Sequence, residues 1–154
     1  MLLNFILVTL IKLLKILKKL FSLEGILKSK IDSNNVFVDS AGTGHWHIGN
    51  KPDQRSIEVA KKHQINITDQ RGRQFSKQDF DDFDYIFVMD NANKKDVLSI
   101  ARNDFDKEKV HLILNEIFPN ENMDVPDPYY GGSEGFQNVY RMLDLSCDSI
   151  ANRL

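Results

Sequence analysis

Cysteine is all but missing from this sequence. One thiol, Cys147, in 154 residues leaves no internal disulfide framework and suits a reducing, cytoplasmic setting. Neither C-x-x-C nor H-E-x-x-H spacing occurs, and His45 and His47 merely flank Trp46 in a glycine-rich loop, so no metal site and no cofactor are expected. Neither sign of charge is in excess. A formal net charge of -2, with acids and bases interspersed, gives no reason to expect a nucleic-acid partner. No apolar run reaches the roughly 20 residues of a bilayer span; the uncharged stretch from Leu2 to Ile11 is about half that. Glycine first appears at Gly25, and two of the four prolines fall in one short stretch. At this length the chain fits one domain with a real core.

That proline-bearing stretch is Asp124-Val125-Pro126-Asp127-Pro128-Tyr129-Tyr130-Gly131-Gly132. It cannot be helix interior or central strand, because two prolines remove donors and fix backbone angles. Each proline also holds its predecessor in extended geometry, so Val125 and Asp127 are aimed rather than free to wander. An aimed carboxylate beside two aromatic rings suggests proton transfer. A rigid surface turn with packed tyrosines is the plainer alternative.

Around this loop, strand and helix signals alternate. Asn35 to Asp39 is a β-rich run leading into the small-residue loop Ser40-Ala41-Gly42-Thr43-Gly44. Pro52 marks the start of a helix over 53–63. Ser76 to Phe83 reads as a short helix capped by Ser76. Tyr85 to Met89 is a continuous apolar run ending at Asp90, as expected of a strand buried on both faces of a parallel sheet. Residues 93–101 read as helix, 110–114 as another strand and 135–154 as a terminal amphipathic helix carrying Cys147 on its apolar side. Such alternation means βαβ units and a parallel sheet.

Residues 2–21 are different in kind. Leu, Ile and Lys dominate, with lysines three or four apart, the pattern of a cationic amphipathic helix lying on a membrane surface or in a partner groove. The segment is a poor secretory signal, since its charges follow the apolar run. Another reading keeps Phe5-Ile6-Leu7-Val8 as a first strand and takes residues 9–21 as an out-of-frame stretch, the frame returning near Leu23. The chain therefore divides into a leader, 1–23, and a domain, 24–154.

Val38-Asp39-Ser40-Ala41-Gly42-Thr43-Gly44, Trp46-His47-x-Gly49, Pro52-Asp53-x-Arg55-Ser56, Arg73-Gln74-Phe75, Met89-Asp90-x-x-Asn93 and the 124–132 stretch occur in one order. In that order the chain resembles the low-molecular-weight protein tyrosine phosphatases over about residues 24–154; arsenate reductases are a weaker match to the Asp-Pro-Tyr-Tyr loop. The resemblance implies a Rossmann-like α/β domain, a four-stranded parallel sheet with helices on both faces. It implies hydrolysis of phosphotyrosine in a protein, or of a small aryl phosphate, through a cysteinyl-phosphate. Asp127 would protonate the leaving oxygen. Trp46, Tyr129 and Tyr130 would wall the substrate pocket, though ordinary aromatic packing accounts for them equally well. Ser40 would support the phosphate loop, and Gln70 stands where relatives often carry histidine.

The family's C-x-x-x-x-x-R-S loop should precede Leu23-Glu24-Gly25-Ile26-Leu27, and here it does not. Residues 10–21 hold no cysteine, glycine or arginine. Without the thiolate there is no covalent intermediate, and lysines cannot replace the planar fork of arginine. Cys147 and Arg153 satisfy the spacing, but inside the terminal helix, where helix bonds would consume the backbone N–H groups that a phosphate needs. No nucleophile is therefore assigned. A chain of this lineage but without activity, serving as an interaction module, is the expectation, with weak membrane-surface contact through residues 2–21 as a further one.

Overall fold

The run Tyr85-Ile86-Phe87-Val88 has side chains for both faces of a sheet, and the structure uses both. In this computed structural model, which describes residues 3–9, 17–32, 34–44, 48–52, 54–128 and 132–154, the run is strand β3, Tyr85–Val88. Phe87 points into a core that contains Leu23, Ile26 and Leu27 of helix α1 (Leu17–Lys30) and Val139, Leu143 and Cys147 of helix α6 (Gly132–Ala151). Ile86 and Val88 point the other way, to Phe75, Phe80, Phe83 and Val97. Period-two alternation thus fills two cores from one strand. Burying Phe80 and Phe87, each 1% exposed, contributes about 1.5–3 kcal/mol apiece.

The sheet has the order β2-β1-β3-β4 and every pairing is parallel. Strand β1 is Leu3–Thr9, β2 is Val36–Gly42 and β4 is Val110–Leu112. Although its sequence belongs to the Leu/Ile/Lys segment, β1 takes an inner place, with Thr9 opposite Gly42 on one side and Val8 opposite Val88 on the other. Its hydrogen bonds are backbone bonds, so a change of side chains need not end them. Helix α1 straddles residue 23, and the division into 1–23 and 24–154 therefore passes through a helix. No helix of the described residues is long and apolar enough to cross a membrane.

Helices cover both faces. Helix α1 lies on α6, where Lys30 pairs with Asp144 at 2.9 Å and Asp148 at 2.6 Å. Burial disfavours the ammonium, but the two carboxylates outweigh it and push Lys30 up to about 12. Gly25 lets α1 approach residues 65–67, because a Cβ there would meet Ile67 Cγ2 at 2.6 Å. On the other face, Asp90 caps α4 (Asn91–Ser99) by accepting from the Asn93 N–H at 2.7 Å. Helix α2 is Gln54–Lys62.

Three sequence expectations change. The helix expected from Ser76 to Phe83 is only α3, Asp79–Asp82. Ser76 does not cap it by accepting; instead the Asp79 carboxylate turns back to take the Ser76 N–H at 2.6 Å. The strand expected over 110–114 stops at Leu112 and tightens into a 3-10 turn, Ile113–Glu116, with the Leu114 carbonyl accepting from Ile117 and Phe118. A short helix unforeseen in the sequence, α5 (Asp104–Glu108), is capped by Asn103 and braced by Arg102, whose hydrogen bonds hold Asp106 at about 2.

His111 on β4 lies among Tyr85 and Phe87, with ring centroids near 6 Å, and is half-buried. Burial, aided by the positive charges of Arg153 and Lys94, lowers its pKa from 6.5. With the folded pKa depressed, the unfolded chain takes up the proton first. This residue's contribution is complete above the unfolded pKa and is lost as pH falls through the folded one. The melting temperature should therefore decline from pH 7.5 to 5.5 more steeply in the native chain than in His111→Phe; parallel declines would refute this role.

Candidate functional site

The carboxyl ends of β1, β2 and β3 meet at one edge, where ligands of open α/β sheets bind. The loop 124–128 is tied to that edge by contacts that its sequence makes necessary. Pro126 and Pro128 lack N–H groups, so the flanking residues must anchor it. Val125, 3% exposed, donates its N–H to the carbonyl of Met89 at 2.8 Å, just past the end of β3. Asp124 accepts from the N–H and side-chain amide of Asn91, at 2.8 and 2.7 Å, on the first residue of α4. A carboxylate at a helix N-terminus is in favourable company. Asp124 thus helps to hold the loop in place. Asp127 is half-buried, between buried Val125 and buried Pro128.

A third anchor comes from α6. The carbonyl of Pro128 lies so close to Gly135 that a Cβ there would stand 2.2 Å from the oxygen. Helix α6 can start beside the loop only because residue 135 has no side chain.

Ser40 lies on β2, 2% exposed, and donates its hydroxyl to Glu24 of α1. Glu24 is 4% exposed and takes Lys28 Nζ at 2.5 Å on its other oxygen. Among the described residues, then, Ser40 reaches the helix that follows the candidate loop region. Glu24 was present in the sequence as part of the Leu23–Leu27 run but carried no signal of this contact, since only the fold puts α1 across β2. Trp46, Tyr129 and Tyr130 lie outside the described residues, as do residues 10–16.

Three shielded polar atoms, Thr43 Oγ1, Gln70 Oε1 and Asn93 Oδ1, have no hydrogen-bond partner among the described residues. Each such group costs about 1–3 kcal/mol, and a native fold keeps few of them outside functional sites. Cys147 is placed elsewhere. It is fully buried in α6, within the core shared with α1, and burial drives its thiol well above the ordinary range. Among the described residues there is no cluster of three or more potential metal ligands.

Comparison with known proteins decides the lineage. Residues 21–154 match the family model for low molecular weight phosphotyrosine protein phosphatase. The chain belongs to this phosphatase family. A low molecular weight phosphotyrosine protein phosphatase of Schizosaccharomyces pombe is 40% identical over 120 residues, spanning 77% of this chain and 76% of the yeast protein. One from Drosophila melanogaster is 39% identical over 121 residues, 77% of this chain and 76% of its own. The crystal structure of a protein tyrosine phosphatase from Entamoeba histolytica overlays with a TM-score of 0.83 at 29% identity, covering 98% of this chain and 96% of that one. YfkJ from Bacillus subtilis gives 0.81, also at 29%, covering 99% and 94%. The family match in sequence starts at residue 21, whereas the phosphatase backbones superpose over nearly the whole chain. The likeness of fold therefore extends into the segment whose side chains have diverged.

The close approach at Gly135 yields a test. Alanine in place of a helical glycine normally gains up to about 1 kcal/mol, but the overlap with the Pro128 carbonyl should cost about 1–3 kcal/mol as the backbone shifts. Gly135→Ala should therefore be net destabilising in urea unfolding. A stabilised variant would show that the loop and α6 are not coupled.

Proposed function

We propose that this chain is a phosphatase-family scaffold that binds without turning over, because the nucleophile of the family's reaction is gone. The single observation carrying this reading is the place of the only cysteine: Cys147 is buried in α6, its thiol held protonated by burial. The family's reaction needs a thiolate in a loop of backbone N–H groups, with arginine on the phosphate oxygens. Residues 10–16 consist of leucine, isoleucine and lysine.

The rest of the machinery is in better order. Asp127 is the general acid of the lineage, set by the Val125–Met89 bond, the Asp124–Asn91 clamp and the Gly135 approach. It would donate its proton to the tyrosine oxygen as the P–O bond breaks. Ser40 and Glu24 form the support beneath the loop region, and Trp46, Tyr129 and Tyr130 are the residues that the lineage would use as an aromatic wall for a phosphotyrosine side chain. The substrate-type partner is a phosphotyrosine protein, and what survives is recognition of its aromatic side.

The purified chain should hydrolyse p-nitrophenyl phosphate no faster than a heat-killed control. Replacing residues 9–23 with a loop of the family type, bearing Cys, Gly and Arg, should restore turnover. Asp127→Ala in that repaired chain should then cost roughly 10²–10⁴-fold, the scale of a lost general acid. Strong hydrolysis by the unrepaired chain, abolished by Cys147→Ser, would overturn the reading.

A further inference from the structure

A groove of about 720 Å³ opens beside the amino-terminal ends of β1 and β3; Asp127 does not line it. Asn4, second residue of β1, forms part of its wall, as do Asp82 and Phe83 just before β3. Phe37, directly across from Asn4 in the strand register, is 50% exposed. Its ring stacks on Phe83 with centroids 6.0 Å apart, so one aromatic face is covered and the other is open.

The charges of this groove are one-sided. Asp39, Asp79, Asp81 and Asp82 line it against a single guanidinium, Arg73. Arg73 is already shared between Asp39 at 2.6 Å and Asp79 at 2.8 Å. From behind, Arg102 serves Asp81 at 2.6 Å, but it is divided between that residue and Asp106. Asp82 is exposed, enters no ion pair among the described residues and accepts from Gln78 at 3.1 Å. The chain as a whole carries a net charge of only -2, so the excess here is local.

The domain's own arginine displays what this surface recognises. Arg73 lies over the Phe83 ring, 5.8 Å from its centroid, while two carboxylates take its N–H groups. The exposed ring of Phe37 and the carboxylate of Asp82 line the same groove and offer the same two kinds of group, and among the described residues no guanidinium pairs with Asp82. We propose that this groove docks an arginine-containing segment of a partner polypeptide, one guanidinium stacking on Phe37 and bonding to Asp82. Arginine suits it better than lysine because a planar fork can stack and donate to a carboxylate at once. Asp127 does not line the groove, so the docking does not require that the candidate site turn over substrate.

A fluorescein-labelled peptide of alternating arginine and leucine, titrated against the full chain by fluorescence polarisation, tests the assignment. It should bind, weaken as salt is raised, and exceed in affinity the same peptide with lysine for arginine. Phe37→Leu keeps apolar bulk but removes the aromatic face, and should lower affinity about 2–5-fold. Asp82→Lys should lower it by at least as much. No binding, equal affinity for the arginine and lysine peptides, or affinity unmoved by both substitutions would each overturn the proposal.

Discussion

Parallel backbone pairing along β1 is the constraint on which the rest of this molecule depends. Flanked by β2 and β3, this strand joins the two halves of the sheet. Ladder hydrogen bonds are made by main-chain groups that every residue but proline possesses. A segment of Leu, Asn, Phe, Ile and Val can therefore hold this place even where the sequence around it has left the family pattern. β-Branched and aromatic residues favour strand, and the run contains Phe5, Ile6 and Val8.

Function has a narrower tolerance than fold. Catalysis of the family type requires a particular atom, a thiolate sulfur, in a cradle of N–H groups, and no neighbouring residue can substitute for it. The acid loop, by contrast, is kept in place by redundant anchors: a strand-end hydrogen bond, a carboxylate at a helix N-terminus and a side-chain-free contact with α6. Loss of one half of a site need not disturb the other, because these anchors belong to β3, α4 and α6, while the nucleophile would belong to the β1–α1 connection. The acidic and aromatic groove beside β1 and β3 is a third unit, whose recognition chemistry rests on ion pairing and ring stacking.

Much of this was legible in the letters. Tyr85–Val88 announced a doubly buried strand because four apolar residues in a row can satisfy two faces only at the centre of a layered fold. The proline pair of residues 126 and 128 announced a shaped loop, because proline restricts both itself and its predecessor. Helix limits were less legible. Ser76 looked like a cap, yet its own N–H is taken by Asp79, the first residue of α3, reaching back, a choice between two local hydrogen bonds that a linear pattern cannot rank. Helix α5 was hidden because five residues are too few to show a period.

What the sequence by itself determined was the alternation of strand and helix, the lineage, and the presence of a single cysteine, Cys147, since each follows from residue identity and local backbone limits. What only the tertiary structure decided was that Asp124 ties the loop to Asn91, that Glu24 meets Ser40, that Gly135 must be bare for Pro128 to pass, and that Phe37 and Asp82 line one groove. Those pairs are 16, 7 and 45 positions apart in the last three cases. Contacts of that kind have no local signature; they arise only when parallel strands, joined through helices, bring distant residues to the same edge.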